Sequence, residues 1–383
     1  MQQFKIGENL QLKIYNSINE FNPIEWNSQI KLLPFFQSFH YLQHLEHTQK
    51  QINFRYILIF ENQVLIGSLY LQQLNFDMKN IFQYNSKTKL TLVEEYFSKK
   101  PVYLLYLGNV YFTGDTGIIS NDISKLNLIL PKIFKYADKT FLNKSFAYLS
   151  ADFSDFNSTI HNSFTSNGFH ILHTEPDLYL ILKPDWTNFE DYLNSFSSKY
   201  RVRAKKVLRE SESIQNKILT YNDVLFYKQE IEQLFENVML NAQFFLSPLN
   251  CNFFVQKHEK SDNICQIHGY FLNEKLVGYS NIYICNKIIH VHYIGLDYKI
   301  NSNYKLYNRM LLDVVKIGIE HKVEKIHFGR TATEIKTTIG AEPSYFKSFL
   351  KIRNPIYNTI ATYFLKKILP PKFTVRHPFK LNY

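Results

Sequence analysis

The chain has 383 residues, of which 45% are hydrophobic and 16% aromatic, so it can bury substantial cores and is not globally disordered. Its formal net charge of +11 favours an anionic partner, namely a nucleic acid, a phosphorylated cofactor or an anionic membrane face. A basic soluble protein without such a partner is the alternative. The three cysteines are odd in number and lack CxxC spacing, which argues against a disulfide framework or a zinc site and fits a reducing compartment.

The N-terminus predicts no export signal. Residues 1–17 are polar and contain no apolar core of a signal peptide. The sequence also lacks the run of about 18 to 20 apolar residues that a membrane helix requires. We therefore expect a cytoplasmic protein, with peripheral contact to the inner membrane as a further option.

The first half begins its recognisable pattern with a β-hairpin. Residues 54–76 read as strand, polar turn and strand, with the turn at residues 61–63 and Gly67 in the second strand. A predicted strand at residues 102–112 follows, then a helical pattern at residues 124–141, which Pro131 kinks or restarts. Residues 145–153 form the next predicted strand.

The second half repeats this order. Residues 265–284 predict a hairpin with its turn at residues 273–275 and with Gly278 in the second strand. A strand at residues 288–298, an amphipathic helix at residues 303–322 and a strand at residues 325–329 follow. The repetition predicts an α/β protein (α+β, with mixed sheets) of two similar domains, residues 1–183 and 184–383.

Three stretches of the second half resemble one family. They are the basic segment FSSKYRVRAKKVLRE, the hairpin GYFLNEKLVGYSNIYI and the helix–strand–loop LYNRMLLDVVKIGIEHKVEKIHFGRTATEIKTTIGAEP. They resemble the GNAT-fold acyltransferases, in particular the FemAB-like peptidoglycan-bridge aminoacyltransferases and the related BioF2-like proteins. The resemblance covers residues 185–345 well and the first half by topology. It implies two tandem GNAT-like domains, an active site in the second, and transfer of an activated acyl or aminoacyl group onto an amine.

The sequence departs from acetyl-CoA-dependent GNAT enzymes at one loop. Those enzymes carry an Arg/Gln-x-x-Gly-x-Gly/Ala loop that binds the cofactor pyrophosphate at a helix N-terminus. Here residues 295–310 read GLDYKINSNYKLYNRM, in which Asn301, Ser302 and Asn303 can cap the helix. The donor therefore stays open between acyl-CoA and aminoacyl-tRNA, with no metal. The resemblance implies a small-molecule or peptidoglycan-precursor acceptor, and tRNA as a further partner.

The segment after the strand at residues 325–329 holds the candidate catalytic residues. Arg330 and Lys336 could bind a phosphate or stabilise an oxyanion, and Glu334 could accept a proton or orient the amine. The resemblance favours Lys336, because FemAB-like proteins have a lysine shortly before a glycine here. Thr331 is a candidate substrate-binding residue. The alternative is a solvated loop in which Arg330 and Glu334 pair.

Further candidates lie on the strand at residues 288–298 and close to it. His290 and His292 are two residues apart and are predicted to share one face, with Tyr293 on the other. We predict a catalytic role for Tyr293 and substrate contacts for His292, Asn281 and Tyr304. Packing inside the domain is the alternative for the histidines, and a metal site lacks further ligands.

A basic helix opens the second domain. Its candidate substrate-binding residues, with a phosphate as the group to be bound, are Lys199, Tyr200, Arg201, Arg203 and Lys205. Arg201, Lys205 and Arg209 recur every four residues and form one charged face. A solvated helix face is the alternative.

The C-terminal segment, residues 354–373, has an apolar face beside a lysine pair. It could lie on an anionic membrane, but we expect it to pack on the second domain. The net charge of +11 and the missing pyrophosphate loop make a non-catalytic GNAT-fold protein, which binds RNA or an anionic membrane surface, the main alternative to an acyltransferase. A generic α/β scaffold with an unrelated ligand is a third possibility.

Overall fold

The computed structural model describes most of the chain, namely residues 1–6, 9–27, 34–76, 102–114, 117–120, 126, 129–154, 158–241, 246–250, 252–254, 264–365, 370 and 372–380. Within these residues the strands are β1 (Gln2–Ile6), β2 (Leu10–Tyr15), β3 (Ile52–Glu61), β4 (Val64–Phe76), β5 (Val102–Leu107), β6 (Ile118–Ile119), β7 (Ala147–Ser154), β8 (His170–His173), β9 (Asp177–Ile181), β10 (Gln215–Ile218), β11 (Cys265–Leu272), β12 (Lys275–Cys285), β13 (Ile288–Leu296), β14 (Lys325–Gly329), β15 (Glu342–Ser344) and β16 (Phe346–Ile352).

The α-helices vary from one turn to four. They span Pro23–Asn27, Phe39–Thr48, Leu130–Asp138, Ser158–Ser166, Phe189–Ser195, Ser198–Glu210, Tyr221–Phe226, Lys228–Asn241, Tyr298–Tyr304, Leu306–Glu320, Thr333–Thr337 and Pro355–Leu365. We call Ser198–Glu210 the basic helix, Leu306–Glu320 the crossover helix and Thr333–Thr337 the short helix.

The chain forms two compact units and passes between them more than once. The first unit comprises Met1–Thr174, Gln243–Asn250 and Tyr345–Pro370. The second comprises Glu175–Ala242, Cys251–Ser344 and Pro371–Tyr383. That the two repeats meet after residue 183, as predicted from the sequence, stays a prediction.

Each unit is built on one mixed sheet. In the first unit the strand order is β1-β2-β3-β4-β5-β7-β16-β8, with β6 paired to β4, and β5 and β7 are parallel. In the second unit the order is β10-β11-β12-β13-β14-β9-β15, and β13 and β14 are parallel. The other described pairs are antiparallel. The predicted α/β class with mixed sheets is confirmed.

The predicted hairpins are present in both units, and they share an irregularity. The β3–β4 turn is made by Asn62 and Gln63 and the β11–β12 turn by Asn273 and Glu274, all with positive φ, as in two-residue hairpin turns. The register then shifts just before Gly67 in one hairpin and Gly278 in the other, as in a β-bulge. Two units with the same bulge at the same step support the predicted repeat.

The hairpin glycines allow a neighbouring segment to approach the sheet. A Cβ at Gly278 would come 2.5 Å from Met310 on the crossover helix, and a Cβ at Gly67 would come 2.9 Å from Leu126. Glycine therefore permits tight packing in each unit.

The helices differ from the predicted ones at their starts. In the first unit the helix starts at Leu130 and holds Pro131 in its first turn, where proline is tolerated, so Pro131 restarts the helix. In the second unit the predicted helix 303–322 is two helices, because Lys305 adopts a left-handed conformation with φ of 53° between them. Residues 306–320 then form the crossover helix.

The C-terminal helix packs on the first unit. Asn358 donates to the Gly168 carbonyl at 2.8 Å, and its own carbonyl lies 3.0 Å from the His170 ring beside β8. The predicted packing on the second domain is therefore wrong. Ile356 and Ile360 of this helix are exposed. No helix among the described residues combines the length and the apolar character needed to cross a membrane.

Candidate functional site

The two parallel strands of the second unit separate partway along their length. β13 pairs with β14 from Ile288 to His290, and the last pair joins His290 to His327. Beyond it β13 continues along β12, whereas β14 ends at Gly329 beside β9. The carboxyl ends of parallel strands are where open α/β sheets bind ligands. We take this divergence as the candidate active site.

A chain of polar side chains lies at the divergence. His290 Nδ1 is 3.3 Å from His327 Nδ1, and His327 Nε2 is 3.2 Å from Asp177 Oδ2. The other carboxylate oxygen, Oδ1, is 3.2 Å from Arg330 Nε. Asp177 is fully buried and the Arg330 side chain is 19% exposed, so the carboxylate fixes a guanidinium that still reaches solvent.

Burial and neighbouring charges control the protonation of His290. Burial, followed by the charges of His327, His292 and Lys325, lowers the pKa of His290 to about 3. His290 is therefore neutral near pH 7. The His327 ring also stacks on Tyr179, with centroids 4.5 Å apart, which fixes its plane.

The loop after β14 is shaped around Lys336. Its Nζ donates to the carbonyls of Phe328, Gly329 and Arg330 at 2.8, 3.3 and 2.7 Å. An ammonium has three donors, so these carbonyls satisfy it. Burial lowers the pKa of Lys336 to about 7, against the opposing charges of Asp177 and Glu175. These contacts favour a role for Lys336 in holding Arg330, while a direct role in catalysis stays a prediction.

Positive φ angles let the loop fold around that amino group. Gly329 and Thr331 both have φ of 67°, and Ala332 has φ of 47°. Left-handed residues other than glycine are uncommon and concentrate at functional sites. Thr331 is exposed at this bend, next to Arg330.

The basic helix and the short helix line one groove in the second unit. This groove, the basic groove, has a volume of about 350 Å³ and is lined by Lys199, Tyr200, Arg203, Glu334, Ile335, Thr338 and Arg376. The structure thus brings together two stretches that the sequence analysis treated separately. Arg201 and Lys205 are not part of this lining, and Lys205 pairs with Glu190 at 3.0 Å.

Arg376 adds a cation that sequence reasoning missed. Its guanidinium pairs with Glu334, and its backbone N–H donates to Thr337 Oγ1 at 3.1 Å. Glu334 therefore balances the charge of Arg376 and does not pair with Arg330. No local pattern marks Arg376, because only the fold brings residues 372–380 beside the short helix.

A bulge places His292 and Tyr293 next to each other. Asn281 pairs with Tyr293 and Ile282 with Val291, so His292 is the extra residue and the strand alternation is interrupted. The His292 and Tyr293 rings are 4.5 Å apart, whereas simple alternation predicts opposite faces. His292 Nδ1 is 3.3 Å from Asn281 Oδ1.

Aromatic rings surround this bulge. The Tyr293 ring contacts Phe235 and Phe254, with centroids 5.4 and 6.0 Å away. Tyr293 and His292 thus belong to an aromatic cluster next to His290, the first residue in the row of polar side chains. Within the ranges that the structure describes, no cluster of three His, Cys, Asp or Glu side chains could hold a metal ion.

The start of the crossover helix has its own cap. Asn301 Oδ1 accepts a hydrogen bond from the Tyr307 N–H at 2.8 Å, as a cap would. Asn301, Ser302 and Asn303 nevertheless lie inside the preceding helix, and Lys305 is the N-cap residue of the crossover helix. Tyr304 packs against the hydrophobic cluster that contains Leu306 and Met310. The Tyr307 N–H is one of the helix N-terminal amides that a pyrophosphate would contact, and the Asn301 side chain already accepts its hydrogen bond.

Comparison with known proteins identifies the fold. No protein-family model matches the chain, and no curated protein matches it in sequence. The chain is similar to the crystal structure of FemX, with a TM-score of 0.54, 13% identity, and coverage of 94% of this chain and 100% of that one. It is also similar to a tandem GNAT protein from the clavulanic acid biosynthesis pathway, with a TM-score of 0.52, 8% identity, and coverage of 90% and 99%. The predicted fold of two tandem GNAT-like domains is confirmed.

Proposed function

We propose that the protein is an N-acyltransferase that moves an activated acyl or aminoacyl group onto an amine, with its site where β13 and β14 diverge. The observation that carries this proposal is the chain of His290, His327, Asp177 and Arg330 at the divergence. Acyl transfer needs aligned reactants, a proton acceptor and donors for the oxyanion. These residues supply the last two without a covalent nucleophile.

Arg330 is the proposed oxyanion or phosphate ligand. The ion pair with Asp177 and the loop held by Lys336 fix its position before substrate binds. Fixed donors stabilise developing charge without reorganisation during the reaction. Thr331 offers a hydroxyl at the same bend, and Tyr293 and His292 form the proposed wall for substrate. Asn281 is fully buried and contacts His292 from within the sheet.

The basic groove is the proposed site for donor phosphates. Lys199, Arg203 and Arg376 contribute three cations against the one carboxylate of Glu334. We favour aminoacyl-tRNA over acyl-CoA as donor. The sequence lacks the glycine-rich pyrophosphate loop, and Asn301 caps the helix amide that such a loop would present. The resemblance to FemAB-like enzymes further suggests a peptidoglycan-precursor amine as acceptor.

A non-catalytic surface binder is the second candidate. The basic groove favours RNA, and exposed Ile356 and Ile360 on the C-terminal helix favour peripheral contact with an anionic membrane. In that case tRNA or anionic vesicles would bind in a salt-dependent manner, and no acyl group would be transferred.

A donor screen followed by a transfer assay tests the proposal. We expect aminoacyl-tRNA to raise the melting temperature more than acetyl-CoA or longer acyl-CoAs, because ligands of the folded state stabilise it by mass action. Labelled amino acid is then expected to move from the tRNA to a peptidoglycan-precursor amine.

Paired variants make the assay specific to the groove. Lys199→Met combined with Arg203→Met is expected to weaken tRNA binding, whereas Lys316→Met, at an exposed position on the crossover helix, leaves it unchanged. Binding of tRNA without transfer to any amine would favour the surface binder. Binding and transfer with acyl-CoA alone would contradict the donor assignment.

A further inference from the structure

We propose that His290, His327 and Asp177 form a proton relay, in which His290 Nε2 accepts the proton of the attacking amine. This inference rests on the proposed function, and it identifies the proton acceptor that the sequence leaves open. Its basis is the unbroken series of contacts from His290 Nδ1 to His327 Nδ1, at 3.3 Å, and from His327 Nε2 to Asp177 Oδ2, at 3.2 Å.

These contacts determine which ring nitrogens carry hydrogen. A carboxylate only accepts hydrogen bonds, so the hydrogen between His327 and Asp177 belongs to His327 Nε2. Neutral His327 then has an acceptor at Nδ1, so the hydrogen between the two Nδ1 atoms belongs to His290. The acceptor nitrogen of neutral His290 is consequently Nε2.

The relay moves the resulting charge away from His290. Burial, His292 and Lys325 all disfavour a positive His290. When Nε2 takes a proton, the hydrogen shared between the Nδ1 atoms can shift to His327. The positive charge then lies on His327, whose Nε2 is 3.2 Å from Asp177. The charge therefore moves from His290, which faces other cations, to a ring that donates to a carboxylate.

The charges around the relay keep Asp177 available as a carboxylate. Arg330 contacts its second oxygen, and the positive charges of Lys325 and of Lys336 in its protonated form act on it as well. His290 faces His327, His292 and Lys325. Asp177 thus stays ionised among positively charged neighbours, and His290, at the other end of the relay, takes up the proton.

Exposure identifies the entry point. Asp177 is fully buried and His327 is 3% exposed, whereas His290 is only partly buried. His290 is also the last β13 residue that pairs with β14. An amine that enters the divergence therefore reaches the relay at His290.

The chemical step balances without another reactant. The amine nitrogen forms a bond to the acyl carbon, and the bond from that carbon to the donor oxygen or sulfur breaks. The proton lost by the amine passes to His290 Nε2, and the relay returns one proton to the leaving oxygen or sulfur. The relay ends in its starting state.

Long-range proton–nitrogen NMR of the histidine rings tests the relay without substrate. His290→Gln and His327→Gln assign the signals, and exposed His321→Gln is the control. At neutral pH we expect hydrogen on Nδ1 of His290 and on Nε2 of His327. Asp177→Asn is expected to lower the pH at which the histidine pair takes up a proton, because it removes the carboxylate 3.2 Å from His327 Nε2. Hydrogen on His290 Nε2 at neutral pH, or proton uptake unchanged in Asp177→Asn, would overturn the relay.

Kinetics test the role of the relay in transfer. His290→Gln is expected to lower kcat about 10²- to 10⁴-fold with little change in KM, the usual loss on removing a general base. In Asp177→Asn the acid limb of the pH–rate profile is expected to move to lower pH. Wild-type kcat in His290→Gln would overturn the relay as the base. The predicted hydrogen positions in a protein that transfers no acyl group would instead contradict the proposed function.

Discussion

Replacing Gly340 by alanine tests how the C-terminal segment is attached to the candidate site. Gly340 has φ of 90°, and a Cβ there would come within 3.0 Å of the Phe379 ring. The left-handed conformation costs alanine about 1–2 kcal/mol, and overpacking costs about 1–3 kcal/mol. We therefore expect Gly340→Ala to lower the free energy of unfolding by about 2–5 kcal/mol in urea denaturation.

A double-mutant cycle separates the two contributions. In a Phe379→Ala background the ring is gone, so Gly340→Ala is expected to cost only the conformational 1–2 kcal/mol or so. Gly168→Ala is the matched control, because Gly168 has φ of 80° but its Cβ would lie 3.7 Å from the nearest atoms. Equal costs for Gly340→Ala in both backgrounds would refute the packing of Phe379 on Gly340.

Phe379 matters because it anchors the segment that carries Arg376. Its ring packs on Trp186 and Phe196, with centroids 5.5 and 5.4 Å away. The neighbouring Pro378 carbonyl accepts from the Ser197 N–H at 2.8 Å, just before the basic helix. Displacing the ring is therefore expected to displace one wall of the basic groove.

Three further predictions concern Lys336, Arg376 and Asn301. Burial lowers the pKa of Lys336 from 10.5 to about 7, so between these values the unfolded chain binds a proton that the folded chain has released. The free energy of unfolding of the wild type, relative to Lys336→Met, is expected to increase with pH across that window in urea denaturation. Arg376→Ala removes an exposed ion pair and is expected to change the free energy of unfolding by less than about 1 kcal/mol. It is also expected to reduce by about 1 the slope of the logarithm of the tRNA binding constant against the logarithm of the salt concentration. Asn301→Ala removes the cap on Tyr307 and is expected to cost about 0.5–2 kcal/mol in thermal denaturation.

Each of these has an outcome that contradicts it. If the difference in free energy of unfolding between the wild type and Lys336→Met stays constant from about pH 7 to pH 10, burial does not lower the pKa of Lys336. An unchanged salt slope in Arg376→Ala would remove Arg376 from the phosphate site. An unchanged free energy of unfolding in Asn301→Ala would mean that the hydrogen bond from Tyr307 to Asn301 does not stabilise the crossover helix.

The repeated fold was predictable because its signals are local. Alternating apolar residues, two-residue polar turns and the glycine after each turn lie within about 20 residues of one another and recur in both halves. The break at Lys305 was not predictable, because lysine has no preference for the left-handed conformation that it adopts there. The C-terminal helix packs on the first unit through contacts between residues far apart in sequence, such as Asn358 and Gly168, and these also could not be predicted.

The candidate site was predictable only in part. The sequence indicated Arg330 and the segment after it, because charged residues that follow a strand at its carboxyl end are a local signal. Asp177 and His327 were missed, since one opens an ordinary strand and the other occupies an alternating strand position. Strand pairing between β9 and β14 brings them together, and that pairing joins distant parts of the sequence.

The structure also changes how two predicted catalytic residues are understood. Three carbonyls surround the amino group of Lys336, and the carboxylate of Glu334 pairs with Arg376. Lys336 is better placed to shape the loop than to contact substrate. Glu334 is better placed to neutralise part of the positive charge of the basic groove. Of the charged residues in this loop, Arg330 lies closest to the proposed relay, through its contact with Asp177.

In the proposed function, acyl transfer takes place at the divergence of β13 and β14. Its most direct test is the steady-state rate of transfer from aminoacyl-tRNA by Arg330→Met, compared with the wild type and with the control His321→Gln. We expect a kcat about 10²- to 10³-fold below wild type for Arg330→Met, the loss that follows removal of one oxyanion donor, and an unchanged kcat for the control. A wild-type kcat for Arg330→Met would contradict it.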